Sequence, residues 1–537
     1  MTIQAGIWRE IRQLLIAAPF QSSASWLTRS LGSCTPSGQL APVSLPCRYS
    51  EGMDWKKLLS NMRTRELTGG KRSQNPEAQW RSEFERDYDR AVFSTPVRRL
   101  QDKAQVYPLE QNDGVRTRLT HSHEVSNVAR SLTKSSLMEI SQTAGLSPED
   151  IDNFATIAAT CGLLHDAGNP PFGHAGERAI MDWFIEDDGK HIAALLKQKP
   201  QLVEDLTNFD GNAQTIRLIT RLQVLNDESG LNLTCGTLAA ATKYIATSGK
   251  IDKNIQQRGK LGVFFSEEGL VEKVRAEVGL SGDQRHPVTF LVEAADDIVY
   301  SSVDLEDGLR KGDLNWGTLI SELEKKNGAG DPFLQAVFEG VVRQLDTGDN
   351  SRQDEKLSSR VRRLDQEFAP DVLGQVFRVN AIAKVVPEVR KLFVQMFSEI
   401  DAGTYSKELI ADPHCQGSRF VQSCKDIARR YVFPSREILQ LELMGRRIIF
   451  DLMSYFWLGA SKGTPDSGTK TFPEKAYNLI SLNYRKVAEK EINNLPKTGK
   501  SGRSPEETYH RAKLVVDYIA GMTDTFAQNL HRRLFNG

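Results

Sequence analysis

Ser147-Pro-Glu-Asp-Ile-Asp-Asn-Phe-Ala-Thr-Ile-Ala-Ala-Thr-Cys-Gly-Leu-Leu-His165-Asp166-Ala-Gly-Asn-Pro-Pro171 is the stretch whose reading decides the fold. Ser147 is a helix cap, Pro148 suits the first helical position, and Asp150 supplies an acid at the third. Ile151, Phe154, Ala155, Ala158, Cys161 and Leu164 then recur at helical spacing. Gly168-Asn169-Pro170-Pro171 is a strong breaker cluster that stops the helix. The same periodicity predicts helix over 289–307 and amphipathic helices over Arg436–Phe456 and His510–Leu534. Ile245–Gly262 reads as a polar, Lys-containing loop, and Gly459–Gly468 and Pro496–Pro505 as exposed loops. There is no internal repeat and no sustained strand alternation, so the expected fold is all-α.

Lys+Arg number 69 against 69 Asp+Glu over 537 residues, a formal charge of zero. That excludes a polyanion-coating protein, although local basic clusters such as Arg63–Arg72 and Arg360–Arg363 could still contact single-stranded DNA. A composition of 39% hydrophobic and 26% charged residues is that of an ordinary globular protein, and no apolar run is long enough for a membrane span. Cys34, Cys47, Cys161, Cys235, Cys415 and Cys424 are scattered and form no C-x-x-C pair, which fits a reducing compartment, by default the cytoplasm. The first fifty residues carry Glu10 as their one acid among Arg9, Arg12, Arg29 and Arg48, and the stretch to residue 52 is set apart with them. They read as a disordered or non-native extension ahead of a start at Met53, or as a targeting segment without a convincing cleavage site. The expected organisation continues with an N-terminal arm over 53–92, a catalytic core over 93–310 and a helical C-terminal region over 311–537.

Five of the nine histidines, His121, His123, His165, His174 and His191, fall in one part of the chain. His165 and Asp166 end the helix opened by Ser147. Adjacent helical residues diverge by about 100°, so both can reach one ion only where a helix ends or distorts. His121 lies on the same face as Val125, Val128, Ala129 and Leu132, which suits either an inward-pointing ligand or a satisfied core histidine. In Glu293-Ala-Ala-Asp296-Asp297-Ile-Val-Tyr300-Ser-Ser-Val-Asp304, the residues Asp296, Tyr300 and Asp304 share one face at i, i+4, i+8. Such a face either binds something or is a solvated acidic surface, since Asp297, Glu306 and Asp307 are close by. His121, His165, Asp166 and Asp296 together offer two imidazoles and two carboxylates, a mixture suited to Mn²⁺, Mg²⁺ or Fe²⁺. An ion held this way suits phosphoester hydrolysis, as Lewis acid and activator of water.

The strings Arg118-Leu-Thr-His121-Ser, His165-Asp166-Ala-Gly-Asn-Pro-Pro-Phe-Gly-His174-Ala-Gly-Glu177 and Glu293-Ala-Ala-Asp296-Asp297 resemble the HD-domain deoxynucleoside triphosphate triphosphohydrolases, most closely the long bacterial dGTP triphosphohydrolases (dGTPases). Phe209-Asp-Gly-Asn212-Ala-Gln, the Gln105 region, Val379-Asn-Ala and Tyr518-Ile-Ala-Gly-Met-Thr-Asp524 extend the resemblance from about Met53 to the C terminus. It implies an HD-superfamily helical core with an additional C-terminal helical region. It also implies hydrolysis of dGTP, or another dNTP, to deoxynucleoside and tripolyphosphate, controlling dNTP pools. By position it implies metal ligands His121, His165, Asp166 and Asp296, with one Mn²⁺ or Mg²⁺ per site, and catalytic His174 with Glu177 orienting it. It implies substrate contacts from Gln105, Asn212, Lys243, Lys260, Tyr300, Asp304 and Glu442. It further implies a homo-oligomer, a hexamer by analogy, and single-stranded DNA as an effector.

Ala104, Ala167, His123, Asn208 and Asp210 depart from residues common in that family, which leaves base preference open without removing a proposed ligand. An HD-type nucleotidase or phosphodiesterase is the alternative enzyme, and a DNA-binding regulatory protein with a structural metal site the alternative of another class. No G-x-x-x-x-G-K-[ST] loop, H-E-x-x-H pair or zinc-finger spacing occurs, which removes P-loop and zincin chemistry.

Overall fold

The computed structural model of the chain describes residues 52–71, 80–186, 188–223, 229–345, 356–463, 471–496 and 503–535. The extension expected over 1–52 lies outside them except for Gly52, as do Cys34 and Cys47, Arg72 at the end of the first basic run, and parts of the loops expected near 459–468 and 496–505. Among the described residues the architecture is helical, as predicted, and no helix is long and apolar enough to cross a membrane. Cys161, Cys235, Cys415 and Cys424 are free thiols, all buried.

Two helices lie at the centre. α1 (Arg118–Ala144) begins at Thr117, whose hydroxyl accepts the Thr120 amide while its own amide donates to the Thr120 hydroxyl. α2 (Pro148–Leu164) begins at the expected cap: the Asp150 amide donates to Ser147 Oγ at 3.1 Å and the Ser147 amide to Asp150 Oδ2 at 2.9 Å. The two helices pack on each other, and Val125, Ala129 and Leu132 of α1 and Phe154, Ala158 and Leu163 of α2 are all buried in the core. Burying a ring such as Phe154 completely contributes roughly 1.5–3 kcal/mol.

After the Asn-Pro-Pro turn come α3 (Gly173–Glu186) and α4 (Gly211–Arg217). The segment expected to be a polar loop instead holds a two-stranded parallel ladder, β1 (Ala246–Thr247) and β2 (Leu261–Val263), with Ala246 opposite Leu261. Its polar composition concealed strands whose residues are buried. At Gly262 a Cβ would come 1.7 Å from the Tyr244 carbonyl oxygen, so only glycine lets the strands meet there.

α5 (Pro287–Lys311), longer than the predicted 289–307, crosses both central helices. Its acidic end is not the solvated face that composition also allowed. Asp304, Glu306 and Asp307 are buried, and Arg116 reaches Glu306 at 2.8 Å and Asp307 at 2.9 Å while Arg378 reaches Glu306 at 2.6 Å.

In the second half, α6 (Pro370–Gln395) covers α5, and α7 (Arg436–Ala460) packs on α3. The helix expected over His510–Leu534 is in fact two, α8 (Pro505–Ala520) and α9 (Asp524–Phe535). The break falls at Gly521-Met522-Thr523, where a Cβ on Gly521 would lie 2.4 Å from Tyr484 Oη, and the Phe526 amide donates to the Thr523 hydroxyl to start α9. Arg63, first in the basic run read as a DNA contact, is buried and paired with Asp87 at 2.9 Å and Glu83 at 2.5 Å.

Candidate active site

A cavity of about 300 Å³ opens where α1, the end of α2, the starts of α3 and α4, the ladder and α5 converge. It is within the size range of small-molecule sites. Three elements bring the first four side chains together. α1 supplies His121, the turn closing α2 supplies His165 and Asp166, and the middle of α5 supplies Asp296. His121 Nε2 lies 3.2 Å from Asp296 Oδ1, His165 Nε2 3.6 Å from the same oxygen, and His165 Nε2 3.5 Å from Asp166 Oδ2. The two rings sit edge to face, 5.4 Å between centroids.

The orientation of these groups is imposed from outside. His165 Nδ1 lies 2.7 Å from the Gly162 carbonyl and donates to it, which turns Nε2 toward the carboxylates. Asp166 accepts from Arg118 Nη1 and from Asn169 Nδ2, each at 2.5 Å. Burial works to raise the Asp166 carboxyl, but the Arg118 guanidinium and the His165 ring override it and hold the group below the ordinary carboxylate range. Burial is likewise overcome at Asp296, by His165, His121 and Lys243. Donor atoms of His121, His165 and Asp166 lie within 4.8 Å of one another, with the Asp296 oxygen beside both imidazoles. Mixed imidazole nitrogen and ionised carboxylate oxygen at this separation fits a divalent cation.

His174 and Glu177 stand at the start of α3, one turn apart. His174 Nδ1 meets Glu177 Oε2 at 2.8 Å, and Glu177 Oε1 accepts the Gly211 amide of α4 at 2.8 Å. Burial tends to raise the Glu177 carboxyl; the His174 hydrogen bond and the Gly211 amide hold it below its usual value. The His174 side chain is 75% exposed, so its other nitrogen is free to reach into the cavity mouth.

The ladder decides where the lysines go. Because β1 and β2 run parallel, the residues before each strand lie at the same end, which brings Lys243 and Lys260 to one edge of the cavity. Both ammonium groups lie 5.8 Å from the centroid of the Tyr244 ring between them. Burial opposes the charge on Lys243, but Glu293 and the neighbouring acids keep the ammonium protonated, its pKa above the usual lysine value.

Gln105, Asn212 and Tyr300 also line the cavity. The Gln105 Oε1 atom is buried without a hydrogen-bond partner, and the Asn212 amide and side chain donate to Asp210 at 2.7 and 2.8 Å. Asp304 lies one turn behind Tyr300, fully buried, and burial pushes its carboxyl far above the ordinary range. Glu442 does not join this group: it sits on α7, does not line the cavity, and stands 3.8 Å from Arg178. His123 is exposed on α1. Arg118, Asn169 and Asp210 line the cavity without having been singled out for a role. Asn169 was legible only as a helix breaker and Asp210 only as a departure, while Arg118 stood unremarked within its motif.

The HD domain matches residues 118–221, and the phosphohydrolase-associated domain matches residues 468–533. A deoxyguanosinetriphosphate triphosphohydrolase-like protein of Listeria innocua is 35% identical over 501 residues, covering 90% of this chain and 99% of the relative. A like-named protein of Listeria monocytogenes is 35% identical with the same coverage. A deoxyguanosinetriphosphate triphosphohydrolase of Yersinia enterocolitica is 32% identical over 529 residues, again covering 90% and 99%.

Proposed function

The chain belongs to the HD-domain deoxynucleoside triphosphate triphosphohydrolase family, and from that premise we propose that it hydrolyses dGTP to deoxyguanosine and tripolyphosphate. The observation that carries this reading is the convergence of the His121–His165–Asp166–Asp296 donor set with two lysines and a His–Glu pair around one cavity.

His121, His165, Asp166 and Asp296 would hold one divalent ion, Mn²⁺ or Mg²⁺. Such an ion, when bound, supplies Lewis acidity at the α-phosphate. Lys243 and Lys260 hold the β- and γ-phosphates, which keeps the triphosphate under attack charge-compensated. A water oxygen bonds to the α-phosphorus, the bond from that phosphorus to the 5′-oxygen breaks, and the 5′-oxygen leaves with a proton. His174 handles that proton, its ring fixed by Glu177, which is itself fixed by the Gly211 amide. Tyr300 lies under the deoxyribose, with Asp304 buried behind it, and leaves no space for a 2′-hydroxyl. Gln105 and Asn212 contact the nucleoside; the unpartnered Gln105 oxygen is suited to accept from it.

Chromatographic product analysis tests this. Protein with Mn²⁺ is given each of the four dNTPs and GTP beside an Asp166→Ala control. Deoxyguanosine with intact tripolyphosphate, absent in the control, is expected. Monophosphate with pyrophosphate, or no turnover, would overturn the reading in favour of a different HD-type hydrolase or a binding protein.

A further inference from the structure

The Tyr518–Asp524 string takes no part in the site as described so far, yet it ends on a carboxylate that is almost wholly buried. Asp524 Oδ2 accepts the Ala104 amide at 3.1 Å and Asp524 Oδ1 accepts the Phe172 amide at 2.9 Å. These two amides belong to two segments whose neighbouring residues, Gln105, Asn169 and His174, line the cavity. Ala104 immediately precedes Gln105. Phe172 lies between Asn169, which holds Asp166, and His174, and it has a positive φ of 62°, a conformation unfavourable for a bulky residue unless its surroundings impose it.

The same contact is reinforced by its neighbours. Buried Lys103 donates to the Ala520 carbonyl at 3.0 Å and also to the Asn169 carbonyl, and the Thr525 hydroxyl donates to Asp102 at 2.7 Å. On its other side the Lys103 carbonyl accepts the Arg118 amide at 3.0 Å, at the start of the helix that carries His121. Residues 102–105 are therefore gripped between the metal-site helix and the break between α8 and α9.

From this geometry we infer that Asp524 is a positioning residue, which holds the Gln105 segment and the Asn169–His174 turn at a fixed separation beside the cavity. A single carboxylate accepting two buried amides cannot be replaced by a carboxamide, because the amide nitrogen would face an N–H donor. The inference rests on the hydrolase reading for its kinetic consequence, but the clamp itself has a readout that needs no substrate.

The test compares the full-length protein with Asp524→Asn and with Val337→Ala, a fully buried core position that does not line the cavity and serves as a stability control. Backbone hydrogen exchange is followed by mass spectrometry, and kcat and KM are measured for the dNTP that the unaltered protein cleaves best, well below each melting transition. Asp524→Asn is expected to speed exchange in peptides spanning 102–106 and 170–175. It should also lower kcat/KM on the order of 10–100-fold through both kcat and KM, as loosening of a supporting contact does. Val337→Ala should lose stability without either change. Unaltered exchange in those peptides, or faster exchange with unaltered kcat and KM, would overturn the inference. If Asp524→Asn does not fold, Thr525→Ala, at an exposed rim position, decides by the same two readouts with a smaller, few-fold effect. An unaltered protein inert toward every dNTP would overturn the proposed function instead, and the exchange comparison would still decide the clamp.

Discussion

Glu177 joins His174 to the start of α4: one carboxylate oxygen meets His174 Nδ1 at 2.8 Å and the other accepts the Gly211 amide at 2.8 Å. The exposed imidazole is thus fixed by a carboxylate that is itself fixed by backbone. Glu177→Gln keeps the size of the side chain but removes the charge, and its amide would have to choose between two N–H groups. The expected result is a kcat lower by about 10²–10⁴-fold with little change in KM, measured by steady-state kinetics on dGTP. A KM-dominated effect would place Glu177 in binding instead.

The donor set on α1, α2 and α5 draws three separate elements together, so an ion bound there links them. Mn²⁺ is expected to raise Tm, by an amount corresponding to roughly 2.7 kcal/mol at a hundredfold excess over Kd. A chelator should abolish both that increment and activity, and Mn²⁺ should restore both. Asp166→Ala should show no Mn²⁺-dependent shift in differential scanning fluorimetry; a shift equal to that of the unaltered protein would locate the ion elsewhere.

Tyr300 packs against Phe433, with 6.4 Å between ring centroids, and its half-buried phenol lies beside Asp304. If the ring excludes a 2′-hydroxyl by occupying its space, Tyr300→Ala should lower the ratio of kcat/KM for dGTP over GTP by about 10–100-fold. A ratio that stays constant while both rates fall would assign sugar discrimination to another residue.

His286 caps α5, its Nδ1 accepting the Val288 amide at 3.2 Å, and burial pushes the ring down to about 4 from 6.5. The folded state therefore keeps His286 neutral in a range where the unfolded chain takes up a proton. Its contribution to stability is fully present above pH 6.5 and is lost as pH falls toward 4, on the order of 3 kcal/mol across that interval. His286→Asn retains a capping side chain without the titration, so chemical denaturation between pH 4 and 7 should show a shallower loss of stability than in the unaltered protein. Parallel pH curves would refute the assignment.

The capping box at Ser147, the apolar spacing to Leu164 and the breaker after Gly168 are written within a few residues of one another, and the helix they specify forms as read. The HD strings are equally local, and they carry the resemblance to the family by themselves. Where the reading failed, the controlling contact was distant or masked by composition. The polar stretch near Lys243 hid a buried parallel ladder, and the helical pattern of His510–Leu534 continued through the break at Gly521-Met522-Thr523, where the Tyr484 hydroxyl leaves no room for a side chain on Gly521.

By itself, then, the sequence determined the helix type, the caps and which side chains stand as candidate ligands and acid–base groups, because those are written within a turn or two of backbone. Only the tertiary structure decided that Lys243 and Lys260 share one edge, that Glu442 turns to Arg178 rather than the cavity, and that Asp524 reaches an amide 420 residues away. Those pairings depend on how whole helices pack, and packing depends on the summed shape and burial of many side chains, which no short window of sequence contains.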